Sequence, residues 1–179
     1  MVVTHARNYI MFRLGEPAST ALEILAEGGD ASAVIEDVGG RATDAITIDG
    51  LLGPGETTSV VVTGDPETDF ITVAAMLIPT NDTFVALNRV RLPRAGAGYL
   101  VPAYDAGTEA NDQNCLNIPG PRCGGEGYSE AAAEGDEGFV HVGNGFHELS
   151  DQGGDGEILS PKTYDWRNSV ARITVRRMN

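Results

Sequence analysis

The chain has 179 residues, 41% of them apolar, with 26 acidic side chains against 12 basic ones and a formal net charge of −14. That length is enough for one domain with a buried core, and the apolar fraction suits a globular protein. So negative a surface repels nucleic acid and anionic lipid headgroups, and no run of 18 apolar residues offers a membrane span.

The acids are dispersed and form no tail, and Lys162 is the single lysine. The start, Met1-Val2-Val3-Thr4-His5, has neither the basic stretch nor the apolar core of a signal peptide. Tyr9 to Leu14 reads as a strand or an extended core segment. Ala18 or Ser19 then opens a short helix through Glu27, with Leu22, Leu25 and Ala26 on one core-facing stripe and Gly28-Gly29 as its stop. Asp30 caps a second brief turn, Ala31 to Asp37, closed by Gly39-Gly40. From Ala45 the pattern turns to β. Ala45 to Ile48 is a short strand, and the β-branched runs Thr57–Thr63 and Asp69–Ile78 read as a hairpin around residues 64–68. Phe84 to Leu92, Tyr99 to Tyr104, Gly138 to Val142 and Val170 to Arg177 supply further strands. Short strands, 23 glycines, 9 prolines and scarce helix predict a mainly all-β, antiparallel β-sandwich with one or two short N-terminal helices. We take it as one domain over 1–179, with an N-terminal segment 1–45, a main sandwich 46–179 and a long loop 107–138 inside it.

Two of these strands stop at turns rich in oxygen. The run ending at Ile78 breaks into Pro79-Thr80-Asn81-Asp82, and the run ending at Tyr104 breaks into Asp105-Ala106-Gly107-Thr108-Glu109. If the two strands lie side by side, Asp82, Asp105 and Glu109 converge at one end of the sheet. Converging carboxylates repel unless a cation sits between them, and calcium favours many oxygen ligands from flexible loops. Asn81, Asp112, Glu126 and backbone carbonyls of residues 82–86 are candidates to complete its shell. The competing reading is that Asp and Asn are ordinary turn residues.

The loop 107–138 has few apolar anchors and calls for a staple. Cys115 and Cys123, the chain's two cysteines, bracket residues 116–122. A disulfide there would contribute about 2–3 kcal/mol on the chain-entropy model, would imply an oxidising compartment, and would pin the residues that follow Asp105 and Glu109. The rival is a zinc site of Cys115, Cys123, His141 and His147, whose spacing fits no familiar zinc pattern. No Ser or Cys nucleophile stands in a recognisable setting beside the two histidines, so no catalytic residue is assigned. Tyr164 and Trp166, with His147, form either a sugar- or partner-binding surface or an aromatic lid flanked by Asp165 and Arg167.

Pro79-Thr80-Asn81-Asp82-Thr83-Phe84 followed by Tyr104-Asp105-Ala106-Gly107-Thr108-Glu109 resembles the paired signature of the spondin N-terminal domain family, whose F-spondin-like members read roughly Ser-Pro-Asp-Trp and then Tyr/Trp-Asp-Ala-Gly-Thr-Asp. Cys123-Gly124-Gly125-Glu126-Gly127 is similar to a segment of the family's bacterial branch, and Ser169 to Arg177 to its last strand. The similarity is strongest from about Ile46 to Met178 and looser before. It implies a calcium-binding sandwich like those of membrane-targeting modules, with calcium at Asp82, Asp105 and Glu109; Glu109 stands where the family has Asp. It also implies a secreted or periplasmic adhesion or surface-binding module without enzymatic activity, whose partner is an extracellular protein, glycan or surface. Family members usually carry one more strand before Val2-Val3, which would leave a sheet edge open here. The alternatives are a metal-dependent enzyme acting on extracellular polysaccharide and a metal-free structural envelope protein.

Overall fold

The computed structural model describes residues 1–130, 135–143, 145–146 and 156–178. Its strands are β1 (Val2–His5), β2 (Ala42–Ile46), β3 (Phe70–Met76), β4 (Thr83–Arg91), β5 (Ala97–Val101), β6 (Ala103–Asp105), β7 (His141–Val142) and β8 (Ala171–Val175); its helices are α1 (Thr20–Gly28), α2 (Ser32–Val38) and α3 (Pro161–Tyr164). A six-stranded sheet runs in the order β2-β1-β3-β4-β6-β7, and β5 pairs with β8 in a second sheet. All the pairings are antiparallel, the sandwich-like, mainly β architecture that the short runs predict.

Alternation along each strand fixes the layers. Val3, Ala74, Phe84 and Ala86 face one cluster with Leu22, Leu25 and Ala26 of α1 and Val34 and Val38 of α2. Their chain neighbours Val2, Val73, Val85 and Leu87 face the other side, against Tyr99, Val101, Ile173 and Val175 of the second sheet. The large sheet is therefore sandwiched between the helices and the small sheet. The helix signals act as written: Ser19 Oγ accepts from Leu22 N, and Gly29 closes α1 in the left-handed region at φ 73°. Asp30 Oδ1 accepts from Ser32 N at 2.8 Å.

Of its two readings, Tyr9 to Leu14 is the core segment rather than the strand, with Tyr9 and Met11 buried. Three expectations change. Thr57–Thr63 forms neither strand nor hairpin: its Thr63 amide donates to Asp44 Oδ2 and its Thr63 carbonyl accepts from Thr4 Oγ1, so side chains rather than a ladder hold it, while Val60 and Val62 cover the second core. The run Tyr99–Tyr104 is two strands, because the chain passes from the small sheet to the large one at Pro102, which has no N–H to give either ladder. Finally, β1 lies inside the sheet, paired with both β2 and β3. Among the described residues no helix is long and apolar enough to cross a membrane.

Candidate metal centre

The two oxygen-rich turns do meet, by a route different from the one the sequence suggests. β3 is separated from β6 by β4. Asp82 sits just before β4, whose first residue pairs with Asp105 (Thr83↔Asp105), and the Ala106 amide donates to the Asp82 carbonyl at 3.2 Å. The Asp82 carboxylate then faces the loop after β6. Its Oδ2 accepts from Thr108 N at 2.7 Å, Glu109 N at 3.2 Å and Thr108 Oγ1 at 3.3 Å. Asp105 Oδ1 accepts from Gly107 N at 2.9 Å and Oδ2 from Asn111 Nδ2 at 3.0 Å.

A glycine is required in this loop. Gly107 has φ +68°, and a Cβ there would lie 2.3 Å from Phe139 O; the Gly138 amide donates back to Gly107 O at 2.9 Å. The close approach seats the 137–141 segment against Asp105. β7 follows beside β6, pairing Asp105 with His141. Asp105, Glu137 and His141 each offer a ligand atom, and these lie within 4.8 Å of one another.

The electrostatics are those of a charge cluster without its counter-charge. Asp82 is fully buried. Burial first, then the charge of Asp105 and more weakly that of Glu137, push its carboxyl up to about 8 against the pull of the Thr108 and Glu109 amides. Glu109 is also pushed up to about 8, by burial and then by Glu27, Asp82, Asp112 and Glu126, all carboxylates. Burial raises Glu27 of α1 as well; the Ser129 amide at 3.1 Å and the Thr108 hydroxyl, whose one hydrogen is shared with Asp82, relieve it in part. Asp82 Oδ1, Glu109 Oε2, Glu27 Oε1 and His141 Nε2 are buried with no hydrogen-bond partner among the described residues. Orphaned acceptors of this kind cost about 1–3 kcal/mol each, more when charged. Among the described residues, Asp105, Glu137 and His141 form the group that could hold a metal ion.

The candidate helpers have other work. Asp112 is saturated, its Oδ1 accepting from Asn81 Nδ2 at 3.0 Å and Asn114 N at 2.8 Å, its Oδ2 from Asn117 Nδ2 at 2.7 Å. Asn81 and Asp112 therefore brace the two loops against each other. Glu126 is exposed, and its charge reaches Glu109. Cys115 and Cys123 form a disulfide, which removes both thiolates from the zinc set weighed above. Around it gather Ile118, Leu159, Phe146 and Tyr164. Tyr164 OH accepts from Arg122 Nε at 2.7 Å, and Trp166 packs edge-on against Phe146 at 5.6 Å, both over the stapled loop. His147 lies outside the described residues.

Glu27 and Glu137 were not among the metal candidates, and His141 was a candidate only in the rival zinc set with the two cysteines. Glu27 reads in sequence only as the last side chain of a helix, and its one signal is an acid next to the apolar Leu25-Ala26 stripe. Glu137 and His141 reach Asp105 through strand pairing, for which the sequence carries no local sign.

No curated protein matches the chain. The Spondin_N family model matches residues 1–112, from the buried first strand to the Asp112 that braces the loops; the motif comparison had taken the first part of this span as the looser one. With more than half of its length covered, and both acidic turns inside the match, the chain belongs to the spondin N-terminal domain family.

Proposed function

We propose that this domain is an extracellular, calcium-dependent adhesion or surface-binding module, with the ion held by Asp82, Asp105 and Glu109 at one end of the large sheet. The observation that carries the reading is the buried oxygens Asp82 Oδ1 and Glu109 Oε2, left without hydrogen-bond partners among the described residues, with Glu109 pushed up by burial and by the negative charges of Glu27, Asp82, Asp112 and Glu126. Calcium takes 6–8 oxygens, so three carboxylates leave room for backbone carbonyls, and Glu27 adds a fourth carboxylate near Glu109. The ion would tie the turn before β4 to the loop after β6, much as Asn81 and Asp112 already do from the side. The disulfide and the family support an extracellular setting. The reading as a binder rather than an enzyme rests on the family; the disulfide removes only a cysteine nucleophile.

Thermal unfolding of chelator-treated protein, with and without calcium, tests this in wild type and Asp105→Ala. A ligand that binds only the folded state at 100 times its dissociation constant adds about 2.7 kcal/mol, several degrees in a domain of this size. Calcium raises the midpoint of wild type and leaves the variant unmoved. A wild type that responds to no calcium and retains none by elemental analysis refutes the calcium reading.

A further inference from the structure

Calcium leaves one ligand in this region unexplained. His141 Nδ1 lies 3.1 Å from the carbonyl oxygen of Val142. A carbonyl only accepts, so Nδ1 carries the hydrogen, and the neutral ring presents Nε2 as a lone pair. That Nε2 is buried with no hydrogen-bond partner among the described residues and stands 3.4 Å from Asp105 Oδ1, which is also an acceptor. Two lone pairs facing each other require a positive object between them, a proton or a metal. Imidazoles that bind metals are commonly fixed in this way, with the far ring nitrogen donating to a backbone carbonyl.

The neighbours are arranged to match. The Asn111 side-chain amide donates to both Asp105 Oδ2, at 3.0 Å, and Glu137 Oε1, at 2.9 Å, so one group orients the two carboxylates. Independently, the fully buried Asp82 keeps Oδ1 unpartnered, and Asp105 and Glu137 are the charges that bear on it.

We propose that Asp105, Glu137 and His141 form a second, nitrogen-bearing metal subsite for a zinc-class divalent ion, beside the oxygen-only calcium loops and sharing Asp105 with them. Distance does not choose the ion. Zinc bonds of about 2.0–2.2 Å in a tetrahedron place neighbouring ligand atoms about 3.4 Å apart, and calcium–oxygen bonds of about 2.4 Å in an octahedron give about the same edge. The donor chooses it: calcium takes oxygen, whereas imidazole suits zinc, copper and nickel. Three protein ligands leave a fourth position, which either the unpartnered Asp82 oxygen or a water fills. The subsite stands without the calcium assignment, since its ion, its donor and its readout differ.

The test is calorimetric titration of the full, calcium-saturated chain with Zn²⁺, followed by Co²⁺ substitution and its visible absorption. Wild type takes up one tight equivalent, and the Co²⁺ spectrum shows nitrogen ligation. His141→Ala and Glu137→Gln weaken Zn²⁺ binding at least tenfold while keeping the wild-type circular dichroism and a cooperative urea transition, which shows that they fold. Glu137 is exposed, so Glu137→Gln carries the test if His141→Ala does not fold. Glu109→Gln, outside the three-ligand set, leaves Zn²⁺ binding intact. Absence of tight Zn²⁺ uptake by wild type, leaving a proton between Nε2 and Oδ1, overturns the proposal. Binding undiminished in Glu137→Gln overturns it too, as does one-for-one displacement of calcium that is abolished by Glu109→Gln.

Discussion

Replacing Asp82 by asparagine removes a charge and almost no volume, which makes Asp82→Asn the sharpest probe of the buried carboxylates. In the folded, metal-free protein the Asp82 carboxyl keeps its proton up to about pH 8, and in the unfolded chain only to about pH 4. Between these values the folded state binds the extra proton, so stability is fullest at the acid end and falls as pH rises. The slope is at most about 1.4 kcal/mol per pH unit. Between pH 5 and 7 wild type therefore loses on the order of 2–3 kcal/mol at most, several degrees in a domain of this length. Glu109 adds to the slope by a smaller amount because it is partly exposed to solvent. The introduced asparagine can turn its amide oxygen to the Thr108 and Glu109 N–H groups and its NH₂ toward Asp105, so the variant loses the Asp82 part of the slope and is the more stable protein at pH 8. Calcium competes with the same proton, so its stabilising effect on wild type grows from pH 5 to pH 8. Urea unfolding of both proteins at four pH values, metal-free and with saturating calcium, reads all of this. A metal-free variant with the wild-type slope refutes the claim that Asp82 is held against its charge.

Two further perturbations probe the loop that carries the site. Cys115→Ser with Cys123→Ser opens a ring of sequence separation 8, which costs about 2.6 kcal/mol on the chain-entropy model; urea unfolding with and without reductant checks the loss, and the calcium response weakens with it. Gly107→Ala meets the Phe139 backbone and a left-handed φ together, whereas Gly124→Ala meets a similar φ of +69° in open space. The strain alone costs about 1–2 kcal/mol, so thermal melts show Gly107→Ala losing clearly more than Gly124→Ala, and equal losses would refute the role given to that close approach.

Features written locally were legible in the sequence. Ser19, the Leu22-Leu25-Ala26 stripe and Gly29 specify α1 within a short stretch, and the cysteine pair brackets its own loop. The β-branched run Thr57–Thr63 misled because propensity reports a fit to a pleated surface, not the presence of a partner strand; here the place beside β1 is taken by β2. Tyr99–Tyr104 misled because an unbroken apolar run does not show that its two halves belong to different sheets, although Pro102 marks the change. The turns of Asp82 and Asp105 were expected to meet through the wrong strand pair; they adjoin because the turn before β4 opens at the same sheet end as the turn after β6, and the side chains that gather at Asp105 are Glu137 and His141.

The Asp-Ala-Gly-Thr element now has a mechanical account, and that account separates positioning from selection. Asp105 ties the Gly107 amide, Ala106 is fully buried, Gly107 admits the Phe139 backbone, and Thr108 holds Asp82 by its amide and hydroxyl. Asp105, Gly107 and Thr108 thus serve to place carboxylates, and nothing in them prefers one divalent ion to another. Preference has to come from what the rest of the fold packs against the loop. On one side that is Glu27 at the end of α1, an oxygen donor that favours calcium. On the other it is Glu137 and His141, brought in by β7, which add a nitrogen. A signature that recognises only the loop can therefore identify the family while leaving the ion open, and the residues that would decide an ion lie partly beyond residue 112, where the family match ends.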